Sequence, residues 1–332
     1  MQSTSITRFG ARFTTNFRNL LAGALLAVPL AALAAYPEQT IKVIVAFPAG
    51  SAVDIVARSV VSRLAGPLGQ AVVVENKVGA SGNIGFEFVA RAPKDGYTLL
   101  FAPTQIAANP GLGKVNYDPV KDFAPIILTS RISALLVVPP DSPAKTVAEL
   151  IAMAKAKPGA LSYASGGNGG IGHFSGELLK ANGGNLDIVH IPYKSAAEQV
   201  QSVMANQTAF AYPAMQLALQ QVKAGKLRAL AVTGANRSQL LPNVPTMSEA
   251  MNPGFVLDAW YGLFAPAGTS PDIVNKLNAE VVKILNDPAV RGPLVDGSHE
   301  IVASTPAEFA ATVQKDFKLW GDLARKLNVK VD

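Results

Sequence analysis

The chain of 332 residues contains no cysteine and only three histidines. Without cysteine there are no disulfides, no thiolate metal sites, no thiol nucleophile and no lipid-modified N-terminal cysteine. His173, His190 and His299 lie 17 and 109 residues apart, without an i, i+4 partner, so no zinc-binding pattern is present. Charge is scarce as well: Asp, Glu, Lys and Arg make up 16% of the chain against 49% apolar residues, a balance that excludes disorder. Lys and Arg nowhere form the clustered patch that a phosphate backbone requires, so nucleic acid is excluded as a partner.

The first 34 residues differ from the rest. They hold Arg8, Arg12 and Arg18, no acid, then the apolar run "LLAGALLAVPLAALA" ending in Ala32-Leu33-Ala34. A basic start, a short apolar stretch and an A-x-A site predict a signal peptide over 1–34, cleaved near Ala34 or Ala35, and hence a periplasmic protein. The run from Leu20 to Ala35 falls short of the ~20 residues that a membrane span needs, and Pro29 interrupts it. Three of the six net positive charges belong to this leader, leaving a formal +3 for the remainder.

From Ile41 onward strand, glycine turn and helix alternate. "IKVIVAF", "AVVVEN" and "GYTLLFAP" read as strands, and "DIVARSVVSRLAGPLG" as a helix stopped by Gly66-Pro67. The second half repeats the plan through "LSYAS", "HFSGELLKANG", "DIVHIPY" and "LRALAVTG". This order predicts an α/β fold of two doubly wound units with parallel sheets. "SALLVVPPDSP" (133–143) and "AWYGLFAPAGTSP" (259–271) read as two hinge strands crossing between domains, after which helices over 271–296 and 305–327 return to the first domain. The expected boundaries are 35–135 with 256–332 for domain 1 and 136–255 for domain 2.

Two loops share one design of strand, small-residue turn and helix. In "AFPAGSAVDIVAR" the residues Phe47, Ala49, Gly50, Ser51 and Ala52 precede Asp54, whose carboxylate is expected to cap the helix start. In "YASGGNGGIGHFSGELL" Ser165, Gly166, Gly167, Asn168, Gly169 and Gly170 precede His173. Backbone N–H groups at such turns, beside the positive end of a helix, make anion cradles. The second loop also spells GxGxxG, but no P-loop lysine follows Gly172, and Asp187, 20 residues beyond Gly167, opens its strand where a ribose-binding acid would end it. A small anion held between the two loops is the preferred reading, with no cofactor and no metal.

Ser81, Gly82 and Asn83 in "GASGN" form a third strand-end loop without the G-x-S-x-G nucleophile pattern. No catalytic residues are identified. Thr104, Gln105, Lys194, Tyr212 and Trp260 fall at strand ends and are candidates to line the cleft, with Lys194 placed to meet an anion and His173 to donate from the helix start.

The segments "YPEQTIKVIVAFPAGSAVDIVAR", "VVVENKVGASGNIG", "YDPVKDFAPI", "KAKPGALSYASGGNGGIGH", "VHIPYKS", "LPNVPTMSEA" and "AWYGLFAPAGTS" run in order from Tyr36 to the C-terminus and resemble the Bug-type solute receptors of tripartite tricarboxylate transporters. The resemblance implies a periplasmic-binding-protein-like Venus flytrap of two domains, acting as a monomer with a membrane permease. It also implies a carboxylate ligand (an organic, dicarboxylic or aromatic acid, or an acidic amino acid) held by Phe47 to Asp54 and by Ser165 to Gly170 with His173, partly through water. Ala49 and Ser51 depart from the family's FPPGGxxD loop, and Ala209 and Pro213 stand where acids are frequent, which points to a carboxylate without an amino group, with Tyr212 and Met215 suited to an apolar body. Two other classes stay open: a sensing partner of a receptor kinase, and an exported α/β enzyme with a dinucleotide.

Overall fold

The computed structural model describes residues 36–167, 170–193 and 195–326. The leader read at 1–34 lies outside them, as do Asn168, Gly169 and Lys194.

Three largely apolar runs form the parallel part of the first sheet. Ile41–Val45 (β1) sits between Val72–Asn76 (β2) and Thr98–Pro103 (β3). Helices Ala52–Val61 (α1), Ala65–Leu68 (α2), Asn83–Ala90 (α3) and Gln105–Leu112 (α4) alternate with them. The stop expected at Gly66-Pro67 comes instead at Gly69, with φ of 67°. A tight turn over Ser62–Leu64 restarts the helix, so Pro67 falls in the first turn of α2, where its missing N–H has no intrahelical acceptor to lose.

Phe123–Ser133 (β4) and Leu135–Val138 (β5) follow with a single residue between them, yet they belong to different sheets. The second sheet contains Ser162–Ser165 (β6), Val189–Pro192 (β7), Phe210–Ala211 (β8) and Arg228–Val232 (β9). Its helices are Val147–Ala156 (α5), Ile171–Asn182 (α6), Ala196–Met204 (α7), Met215–Lys223 (α8) and Met247–Ala250 (α9). Asp258–Pro266 (β10) returns to the first sheet, followed by Pro271–Asn286 (α10), Pro288–Asp296 (α11), Glu300–Ile301 (β11) and Pro306–Lys326 (α12). The helix expected over 271–296 is thus two, broken at Asp287, which is extended and whose side chain caps α11.

The strand orders are β11-β4-β10-β3-β1-β2 and β7-β6-β8-β5-β9. Neither sheet is purely parallel: β10 runs antiparallel to β3 and β4, and β5 antiparallel to β8 and β9. The reason is topological, since each of these strands has just arrived from the other sheet and enters from the opposite end. The apolar runs read as hinge strands are therefore mostly sheet interior, with β5 buried at every position. The passage itself is short. Ala134 N–H donates to Thr233 Oγ1 at 2.9 Å and Thr233 N–H to the Ala134 carbonyl at 3.0 Å. Leu257 N–H reaches the Thr233 carbonyl at 3.0 Å, and the Ser133 hydroxyl donates to Asp258 Oδ1 at 2.9 Å. These bonds tie the two crossings side by side.

Each sheet has its own core. Around the first, Phe86, Tyr117, Phe123, Phe264 and Phe309 pack edge to face or tilted at centroid distances of 4.7 to 6.1 Å. A separate apolar cluster joins the two lobes: Phe174 of α6 meets the Trp320 ring of α12 at 4.6 Å, with Ala108 of α4 alongside. No helix among the described residues is long and apolar enough to cross a membrane.

Candidate functional site

The carboxyl ends of β1, β2, β3 and β6 converge on a cavity of about 420 Å³. Strand-end crevices of this kind are where open α/β sheets place their ligands. Phe47, Ser81, Asn83, Gln105, Gly166, Gly167 and Gly170 line it as the strand-end reading expects. So do Asn109, Lys114 and their neighbours in "NPGLGKV", which that reading missed because Asn-Pro-Gly looks like a loop remote from any strand end. Here α4 runs through Pro110 and carries these residues to the rim.

Packing sets the polar groups in place. Asn109 Nδ2 donates to Asn83 Oδ1 at 2.7 Å and to the Ser81 carbonyl at 3.0 Å, and the Tyr117 hydroxyl lies 3.3 Å from the same Asn83 oxygen. With its oxygen so held, Asn83 presents its amide NH₂ to the lining. Gly82 is buried with φ of 94°, and a Cβ there would meet the Phe86 ring at 2.8 Å, so its role is to let the loop pass the core.

The glycine loop rests on an aromatic stack. Ser165, fully buried at the end of β6, donates its hydroxyl to the Gly167 carbonyl at 2.9 Å and lies 2.7 Å from His190 Nε2. A hydroxyl has one proton, so His190 is the donor and carries its proton on Nε2. The His190 ring stacks between Tyr163 at 4.7 Å and His173 at 4.1 Å. Burial first, then the neighbouring His173, pushes His190 down to about 4, and burial lowers His173 too, so the stack is neutral at ordinary pH. Helix α6 starts at Ile171 with Gly170 as its N-cap and no side-chain cap, which leaves the first-turn N–H groups for an anion.

Other expected residues are placed differently. Asp54 is buried and accepts from Gly50 N–H at 2.9 Å, Asn76 Nδ2 at 2.8 Å and Arg58 Nε at 3.0 Å. Burial would raise its pKa, but these donors and the Arg58 charge outweigh it and hold the carboxyl below its usual range. Asp54 therefore shapes the loop. The Asp54/Arg58 spacing of four was the signal that could have revealed its partner. Ala49, Gly50, Ser51 and Ala52 are absent from the cavity lining, and the Gly50 and Ser51 amides bond within the loop to Asp54 and to the Pro48 carbonyl. His173, 8% exposed, supports the loop through its ring rather than lining the cavity.

Tyr212 is wholly buried, its hydroxyl 3.7 Å from Met247 Sδ. Trp260 is core as well, donating from its indole N–H to Asp316 at 2.6 Å. The Thr104 hydroxyl accepts from the Trp260 amide at 2.7 Å, tying β3 to β10. These three strand-end side chains turn inward, each onto a partner far along the chain. Asp187 sits at the amino end of β7, where its carbonyl accepts from Gly159 N–H, so the acid of a dinucleotide site is at the wrong end of the sheet. Among the described lining residues Lys114 is the one charged group, and no carboxylate is present.

A family model described as "Tripartite tricarboxylate transporter family receptor" matches residues 56–329. The Bordetella pertussis protein BugT is 32% identical over 314 residues, covering 94% of this chain and 96% of the relative. Two solved structures are similar throughout. Rhodopseudomonas palustris Rpa4515 with adipate is 32% identical with a TM-score of 0.75, over 89% of this chain and 99% of that one. MatC from Rhodopseudomonas palustris with bound malate is 31% identical with a TM-score of 0.71, over 87% and 99%.

Proposed function

Because the chain belongs to the receptor family of tripartite tricarboxylate transporters, we propose that it captures a small dicarboxylate in the cavity between the glycine loop and the ends of β1 to β3. The observation that carries this reading is the lining: amide donors from both lobes, one cation and no acid among the described residues. Such a surface attracts carboxylates and offers an ammonium group no partner, which favours an acid without an amino substituent. Adipate on Rpa4515 and malate on MatC support the same class.

In this mechanism the first-turn N–H groups of α6 and the Gly166–Gly167 backbone hold one carboxylate from the second lobe. Asn83, Gln105, Asn109 and Lys114 hold the other end from the first. A solute that touches both lobes binds the closed arrangement better than an open one, and this difference alone shifts the population. The crossings at Ala134 and Thr233–Leu257 are the points about which the lobes turn. The closed receptor, a monomer in the periplasm, then meets a membrane permease.

Calorimetric titration of the protein with adipate, malate, aspartate and NAD tests the reading. Expected are binding of a dicarboxylate, silence with NAD, and a loss of about tenfold or less in Lys114→Ala, the weight of one charge-assisted hydrogen bond. Binding of aspartate or NAD with no response to either dicarboxylate overturns it.

A further inference from the structure

A second cavity, about 400 Å³, shares no lining residue with the first. Its walls come from β4, α11 and β11 and from the segment after β9. In the first sheet β10 and β4 lie between β3 and β11, and in the second β5 lies between β8 and β9. The cavity is therefore on the far side of the crossings from the glycine loop.

Three arginines line it: Arg131, Arg237 and Arg291. Arg237 is paired with Glu249 at 2.9 Å, and the other two are not in ion pairs among the described residues. Glu300 stands opposite Arg131 in the β4–β11 register and also lines the cavity. Asp258 and Asp316 feel the Arg131 charge, but Ser133 and the Trp260 indole hold their hydrogen-bonding oxygens. Two buried donors on the cavity wall, Arg131 Nε and Ser298 Oγ, have no hydrogen-bond partner among the described residues. Both atoms are shut off from the space itself, so what the cavity offers an anion is Arg131 and Arg291, which line it without an ion-pair partner among the described residues.

We propose that this rear cavity is a second anion site for a compact doubly charged oxyanion, held by the guanidinium groups of Arg131 from β4 and Arg291 from α11. The inference does not depend on what the glycine-loop cleft binds. The Asn236–Leu240 segment of the second lobe lines the same space.

The test is calorimetric titration of the full chain with inorganic phosphate and, separately, sulfate, at ionic strength matched with sodium chloride. Binding of at least one probe is expected, weakened about tenfold or more by Arg131→Gln and by Arg291→Gln and unchanged by Lys114→Ala in the other cavity. Which probe binds tells phosphate from sulfate. Arg291 is exposed on its helix, so Arg291→Gln keeps the test decisive if Arg131→Gln does not fold. No binding of either probe, binding indifferent to both arginine changes, or binding lost in Lys114→Ala overturns the proposal.

Discussion

Ser165→Ala removes a single oxygen on which the glycine loop depends. In the folded protein that hydroxyl accepts from His190 Nε2, donates to the Gly167 carbonyl and lies 3.3 Å from the Gly167 amide, with no exposure to solvent. Alanine fits the space but leaves a half-buried imidazole N–H and a loop carbonyl without this partner. At about 1–3 kcal/mol for each stranded group, the expected loss is about 3 kcal/mol in total. For a folded unit of this size that corresponds to a fall of about 6 °C in Tm. The same change frees Gly167, whose φ of 123° is held by this contact, so dicarboxylate affinity should fall about tenfold. Differential scanning calorimetry with and without adipate reads both effects. Tyr163→Phe serves as the comparison, since it keeps the ring stacked on His190 while losing the hydroxyl that lies 2.8 Å from Glu177 and 3.2 Å from the His173 carbonyl. A Ser165→Ala protein that melts within about 1 °C of the parent and binds adipate equally well would refute the argument.

Asp54→Ala should cost about 2 kcal/mol in urea unfolding, because Gly50 N–H and Asn76 lose a buried acceptor while Arg58, half exposed, recovers water; an unchanged midpoint would show that the loop holds itself. His299 is pushed by burial from 6.5 to about 4, so the unfolded chain takes up its proton first. Its share of stability is complete above pH 6.5 and declines by about 3 kcal/mol as pH falls to 4. Asp258, raised by burial to about 6, acts in the opposite sense, so the quantity to follow is the difference between the parent and His299→Gln across pH 7 to 4. A difference that does not change with pH would mean that the ring is protonated in the fold.

The sequence determined what depends on local pattern. Alternating β-branched runs, glycine turns and amphipathic helices specify two α/β units, because each strand must bury both faces between helices. The five glycines around Asn168 mark a turn that brings backbone donors to a helix start, whatever surrounds it. The basic and apolar character of residues 1–34 is likewise a matter of composition alone.

Only the tertiary structure decided which strand-end side chains meet the cavity. Thr104, Tyr212 and Trp260 occupy positions equivalent to Gln105 and Gly166 in the sequence pattern, yet they turn into the core against Trp260, Met247 and Asp316, partners 35 to 156 residues away. The Asn83–Asn109 pair and the Ser165–His190 contact are equally nonlocal, spanning 26 and 25 residues. The crossing at Ala134 is visible only once two sheets compete for β4 and β5, since an apolar strand reads the same whether it spans a hinge or fills a sheet. A short motif states which groups are available; the direction each one points is set by what the rest of the chain packs against it.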